Sequence, residues 1–545
     1  MLKAWADIWR WSVLVPAFVL ALPVIIVFGS LLSPQPEVWA HLRATVLADY
    51  VINSVILAFG TGFGALLIGT GTAWLVAQYQ FTGRRVMEWL LLLPLAMPAY
   101  IIAYTYTGML DFAGPVQTTL RQWSGWSYGD YWFPEIRSLW GAVLMLALVL
   151  YPYVYMLARN AFREQSSSLL EASRTLGMTP RQHFWKVALP LARPALLTGM
   201  ALAMMEALAD YGTVQYFGVP TFTTGLFRTW FGMGNRVAAA QLAAMLTSFV
   251  LLLLFLERWS RRKIRYFYHG QRQVNIRRRL SPWQQRSALL ICLLPVIFGF
   301  VIPAAQLTFW ATETWHYTLD QRFATLVWNT FSLAAIAAVI SVLLALLFAY
   351  AKRLRRDLLV QAPVRIAALG YAVPGTVIAI GVMIPLAWLD THIDLLAEEW
   401  FGIRTGLLLS GTLVALVLAY SVRFLAVSLH SVEAGLDRIK PGMDNAARSL
   451  GCTPVQVLGR VHVPLLRGSV LSALLLVFVD VLKELPATLI LRPFNFNTLA
   501  VRAHELASDE RLADAALPAL AIVLVGLLPV IWLARSVDQR SKGNS

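Results

Sequence analysis

Residues 171–190 read EASRTLGMTPRQHFWKVALP, and residues 445–464 read NAARSLGCTPVQVLGRVHVP. The two stretches lie 274 positions apart, each polar and broken by Gly and Pro inside a chain that is otherwise apolar. In the first, SSSLLEASRTL at 166–176 reads as a short helix, and Gly177 suits the left-handed turn that ends one. Thr179, Pro180 and Gln182 then spell an N-cap, a first-turn proline and the third residue of a capping box. The second copy keeps this grammar with Gly451, Thr453, Pro454 and Gln456. Each copy predicts two helices joined at a bend, a rigid knuckle standing outside the membrane. A polar helix pair can also lie flat on lipid headgroups. Duplication with matched caps points instead to docking on a two-fold partner.

The rest of the chain explains why such a knuckle is exceptional. Of 545 residues 58% are hydrophobic and only 14% charged, against about 25% charged in soluble domains. Runs such as LPALAIVLVGLLPVIWLA at 517–534 are about long enough to cross a hydrocarbon core. The net charge of +16 raises the question of nucleic acid, but the cations are clustered between apolar spans. Ten basic and no acidic residues lie between Arg258 and Arg286, with further clusters at Arg84–Arg85 and Lys352–Arg356. That is the loop bias of a polytopic membrane protein, not a nucleic-acid surface. Cys292 and Cys452 fall in a membrane span and a cytoplasmic knuckle, where no structural disulfide is expected. The N-terminal apolar run lacks a small-x-small cleavage site and reads as a retained first helix.

Twelve spans are expected, centred on Val24, Leu66, Leu93, Leu146, Met205, Leu251, Val296, Ala338, Ile378, Val414, Val477 and Val525. The basic clusters, both knuckles and both termini then share one side, the cytoplasm by orientation rules. Asn53 and Pro98 match Asn329 and Pro374 at an offset of 276; Gly177 and Pro190 match Gly451 and Pro464 at 274. The expected fold is therefore all-α: about twelve transmembrane helices in two parallel-repeat halves of six. Residues 1–265 form the first half, with a knuckle loop at 165–193. Residues 266–545 form the second, with a loop at 438–467. Such a pair encloses a path, and transport is its natural function.

Ionisable residues inside a bilayer are costly and are functional candidates. The helix after each knuckle carries them: Glu206 and Asp210 in the first half, Asp480, Lys483 and Glu484 in the second. At an offset of 274, Glu206 aligns with Asp480 and Asp210 with Glu484, each pair sharing one helix face. Two readings stand. The acids line a translocation pathway, which would favour cationic cargo, or they are structural, with Asp480 and Lys483 neutralising each other. No residue spacing assigns a metal site, and His183 and His462 are not at ligand spacing.

The knuckles resemble the loop of binding-protein-dependent ABC importer permeases, in which Glu-Ala-Ala is followed by a Gly and then a Pro. The matching residues are Glu171, Ala172, Gly177 and Pro190, then Ala446, Ala447, Gly451 and Pro464, with Asn445 at the Glu position and Asp444 beside it. In that family the loop forms coupling helices seated in clefts of cytoplasmic ATPases. The resemblance implies ATPase docking through Glu171, Ala172, Gly177, Thr179 and Pro190, and through Asn445, Ala446, Gly451, Thr453 and Pro464. Asn445 implies a weaker or altered second contact. It also implies two ATPase copies, a periplasmic or lipid-anchored solute-binding protein, and the bacterial cytoplasmic membrane. The chain has no G-x-x-x-x-G-K-[ST] loop, so ATP is expected on the partner, with no enzyme activity and no cofactor on this chain. EALADYGTVQYFGV at 206–219 and KELPATLILRPFNFNTLA at 483–500 are similar to fused ferric iron permeases of this family. Related permeases carry thiamine, phosphonates or other small solutes. An ion-coupled secondary transporter and a scaffold without flux are the competing classes.

Overall fold

A computed structural model describes residues 2–127, 129–165, 173, 175–261, 278–355 and 357–542. The fold is all-α. Among the described residues ten helices are long and apolar enough to cross a membrane, and the candidates number up to twelve when each of two bent helix pairs is counted as one span. Each expected centre falls inside one of them. The regular β structure among the described residues is one short parallel pairing, Tyr79–Gln80 with Arg278–Arg279.

The helices used below are α1 (Leu2–Gly29), α2 (Leu47–Gln78), α3 (Leu139–Glu164), α4 (Pro180–Ala209), α5 (Gly212–Tyr216), α6 (Pro282–Thr318), α7 (Gln321–Leu354), α8 (Gly375–Phe401), α9 (Leu413–Leu436), α10 (Pro441–Ser449), α11 (Pro454–Leu465), α12 (Arg467–Leu482) and α13 (Pro486–Leu491). Pro98 and Pro374 each stand where a helix stops and restarts. The residues before them, Met97 and Val373, are extended at φ −95°, ψ 112° and φ −86°, ψ 128°. A proline ring excludes helical geometry from its predecessor, so one break recurs in both halves.

The chain forms two compact units. One comprises residues 42–224, 248–318 and 503–545. Its centre is α2, α3 and α4, held close by small residues: a Cβ on Gly69 would lie 2.9 Å from the Tyr151 carbonyl oxygen, and one on Gly199 2.7 Å from Val154 Cα. The other comprises residues 1–41, 225–247 and 319–502. Its centre is the repeat-equivalent trio α7, α9 and α12, where a Cβ on Gly435 would meet Ser469 and Leu466.

The units recombine the sequence halves. Helix α1 packs on α8 of the second half, where Gly381 lies against the Pro23 carbonyl, and Arg10 pairs with Asp357 at 3.0 Å. Helix α6, which opens the second half, packs in the other unit: Tyr106 donates to the Phe298 carbonyl at 2.7 Å, and Gly299 abuts the Leu148 carbonyl. The repeat also survives at atomic level. Asn53 Nδ2 donates to the Pro220 carbonyl at 2.9 Å, and Asn329 Nδ2 to the Asn497 carbonyl at 3.4 Å. The next residues, Ser54 and Thr330, accept from the Phe222 and Leu499 N–H groups at 3.1 and 2.9 Å. In both halves non-helical backbone is thereby satisfied by side chains, which an apolar surrounding demands.

Candidate functional site

The knuckles are built as their residues dictate. Gly177 and Gly451 take φ +72° and +83° with open space where a Cβ would stand, so the backbone conformation alone selects glycine. Beyond the bend, the Gln182 N–H donates to Thr179 Oγ1 at 3.3 Å while the Thr179 N–H donates to Gln182 Oε1 at 2.9 Å. The second copy repeats this, with the Gln456 N–H on Thr453 at 3.4 Å and the Thr453 N–H on Gln456 at 2.9 Å. Before the bend, the Cys452 N–H reaches the Ala447 carbonyl at 3.1 Å and the Gly451 N–H the Arg448 carbonyl at 2.9 Å. These are the two bonds of a Schellman helix end. The Met178 N–H makes the matching long bond to Ser173 at 3.0 Å.

Glu171 and Ala172 lie outside the described residues, as does most of the helix expected at 166–176. Asn445 and Ala446 are exposed on α10, while Ala447 is buried. Asp444 does not stand in for the missing glutamate. It turns inward, 2.8 Å from Arg353 Nε and 3.0 Å from His462 Nε2. Pro190 and Pro464 are exposed. Helix α4 runs through Pro190 to Ala209. A π-turn at Phe184–Ala188 ends two residues before the proline, and a widened turn tolerates a missing N–H. Its repeat equivalent is the π-turn Leu458–His462.

Leu176 and Leu450 occupy the same repeat position just before the glycines, and they are 75% and 85% exposed. The sequence carried this signal, an apolar residue at one place in two polar stretches. Two residues that hold the knuckles, Trp74 and Tyr350, could not be found that way, because they lie about a hundred positions away. The Trp74 ring lies 4.9 Å from Phe184 and 5.1 Å from Phe162, and the Tyr350 hydroxyl donates to the Pro454 carbonyl at 2.7 Å.

Two of the membrane acids, Asp210 and Glu484, sit at helix breaks. Asp210 follows α4 and caps α5, accepting from the Thr213 and Val214 N–H groups at 3.0 and 3.2 Å and from the Thr213 hydroxyl at 3.1 Å. Glu484 does the same for α13, accepting from the Ala487 and Thr488 N–H groups at 3.0 and 3.1 Å and the Thr488 hydroxyl at 2.8 Å. A carboxylate at a helix N-terminus satisfies orphan donors and meets the positive end of the helix dipole. The halves then diverge. Glu484 also pairs with Arg423 at 3.1 Å, and Asp480 pairs with Lys483 at 2.9 Å, so these two second-half carboxylates each have a cation. Gly375 makes room for the first pair: a Cβ there would collide with the Arg423 guanidinium. Glu206 is half-buried on α4, one turn before Asp210. Among the described residues no three His, Cys, Asp or Glu side chains are grouped to hold a metal ion. Cys292 and Cys452 are both free thiols.

A helical chain of ten to twelve candidate spans with a duplicated, glycine-bent knuckle has the build of a two-half membrane permease. The chain belongs to the family of binding-protein-dependent transport system inner membrane components, whose family model matches residues 65–266 and 341–543, once in each half. It is 26% identical over 495 residues to the Fe(3+)-transport system permease protein FbpB 2 of Haemophilus influenzae, covering 90% of both chains. The ferric transport system permease protein FbpB of Actinobacillus pleuropneumoniae is 23% identical over 506 residues, 87% of this chain and 70% of that relative. The sulfate transport system permease protein CysT of Salmonella typhimurium is 27% identical over 227 residues, 41% of this chain and 76% of its own.

Proposed function

We propose that this permease imports ferric iron, handed over by a periplasmic or lipid-anchored binding protein and driven by two copies of a cytoplasmic ATPase docked on the two knuckles. The observation that carries the ATPase reading is the duplicated knuckle. Two rigid bends with matched caps and matched exposed leucines on one chain suit a partner with two equivalent clefts. The cargo rests on the relatives. Those named for ferric iron align with both halves, whereas the one named for sulfate aligns with 41% of the chain. The basic clusters between the apolar spans support a bacterial inner-membrane protein with both termini in the cytoplasm.

The acids take a narrower part than their number suggests. Asp480 and Glu484 pair with Lys483 and Arg423, and Asp210 spends its carboxylate on capping α5.

The test is uptake into proteoliposomes holding this chain and its ATPase, supplied with binding protein loaded with radioactive Fe³⁺. ATP-dependent accumulation is expected. Uptake driven by a proton or sodium gradient without any ATPase would replace this reading with secondary transport. ATP-dependent uptake of another solute, with none of iron, would overturn the cargo.

A further inference from the structure

In both compact units the last turns of one repeat-equivalent helix grip the knuckle at its π-turn. The residues come from positions 276 apart, Trp74 on α2 and Tyr350 on α7. Trp74 packs 4.9 Å from Phe184, the first residue of the π-turn Phe184–Ala188, and 6.2 Å from His183. One turn on, Gln78 Nε2 donates to the Phe162 carbonyl at 2.8 Å. The Tyr350 ring lies tilted, 5.3 Å from His462, the last residue of the π-turn Leu458–His462, and its hydroxyl donates to the Pro454 carbonyl at 2.7 Å. Arg353, three residues on, holds Asp444 through two nitrogens at 2.8 and 3.3 Å and donates to the Leu436 and Ile439 carbonyls at 2.6 and 2.8 Å.

We infer that these helix ends are the levers that carry knuckle displacement into the membrane, with Trp74, Tyr350 and Arg353 as positioning residues. The inference rests on the ATPase-docking reading above. A helix of more than thirty residues such as α2 or α7 moves as a rod, so a push received at one end is delivered at the other. A π-turn carries one residue more than an α-turn and marks a place where helix register can shift. Holding that turn from outside makes the shift move the rod. None of these contacts involves the exposed Leu176 or Leu450.

The experiment measures ATP hydrolysed per Fe³⁺ imported by the assembled transporter in proteoliposomes. Trp74→Ala and Arg353→Gln should keep the co-purifying ATPase and its hydrolysis while raising that ratio about two- to thirtyfold, the range of coupling changes seen when linking residues are altered. Trp74→Phe, which keeps an aromatic face against Phe184, should restore most of the coupling. Tyr350→Phe removes one hydrogen bond and no packing, so it decides the matter should Arg353→Gln fail to insert; a rise in the ratio is expected there too. An unchanged ratio in Trp74→Ala and Tyr350→Phe overturns the inference. Loss of the ATPase from these variants also overturns it, since the grip would then be building the docking surface. A wild-type chain that captures no ATPase overturns the docking reading itself, a separate outcome.

Discussion

In the first half the knuckle helix and the membrane helix after it are one piece, Pro180–Ala209; in the second they are two, Pro454–Leu465 and Arg467–Leu482, bent by 78°. The capping boxes, left-handed glycines and π-turns of the two copies match. What differs is the attachment. Where the first half has Pro194, whose ring presets helical φ, the second has Gly468, which imposes no restraint, and Leu466 leaves helical geometry at φ −88°, ψ 2°. The first knuckle is gripped by the Trp74 ring, the second by the Tyr350 side chain and the Arg353 guanidinium. The comparison teaches that the capped glycine bend is held constant while the linkage behind it is free to diverge.

The helix breaks offer the sharpest contrast between the halves. Arg423→Met would leave the Glu484 carboxylate, 2% exposed, buried without its cation, and breaking such a pair costs about 3–5 kcal/mol. Asp210→Ala removes a cap, costing about 0.5–2 kcal/mol. Thermal unfolding in detergent should therefore rank Arg423→Met well below Asp210→Ala; equal losses would erase the distinction between the two breaks. Next in size are Gly177→Val and Gly451→Val. Each forces a branched residue into left-handed backbone at about 1–3 kcal/mol, and each should release the co-purifying ATPase while leaving membrane insertion intact. Release by only one of them would show that the two dockings are unequal, as Asn445 suggests.

Smaller effects test the matched parts. Thr179→Ala and Thr453→Ala should each weaken their knuckle by about 1 kcal/mol, read as faster hydrogen exchange of the amides just after each cap. Exchange that rises in one copy alone would mean the boxes are not equivalent. Least affected should be the asparagine pins. Asn53→Ala should cost about 0.5–1.5 kcal/mol, and Asn329→Ala less, because its bond to Asn497 is longer, 3.4 Å against 2.9 Å. The reverse order in thermal unfolding would contradict the geometry.

Much of the site was legible before the structure because its causes are local. Gly177, Thr179, Pro180 and Gln182 act on backbone within a few residues of themselves, so their spelling suffices. The pairing of Asp480 with Lys483 was legible for the same reason. The passage of α4 through Pro190 was not legible, since the π-turn before it has no sequence signature of its own. Arg423 was invisible as the counter-charge of Glu484 because 61 residues separate them. The same distance problem hid Trp74, Tyr350 and Arg353.

Apolar run length, charge placement and the 274–276 offset were enough to give twelve spans, two halves and two knuckles. Each follows from hydrophobic partition or from hydrogen bonds closed within one turn. Which helix joins which core was decided only in three dimensions. Helix α1 belongs with the second half's core and α6 with the first's, because Gly381 admits the Pro23 backbone and Gly299 admits close approach to Leu148. One apolar helix face matches many others equally well in hydrophobicity. Close packing between small residues far apart in the chain selects among them, and that shape exists only once the helices have assembled.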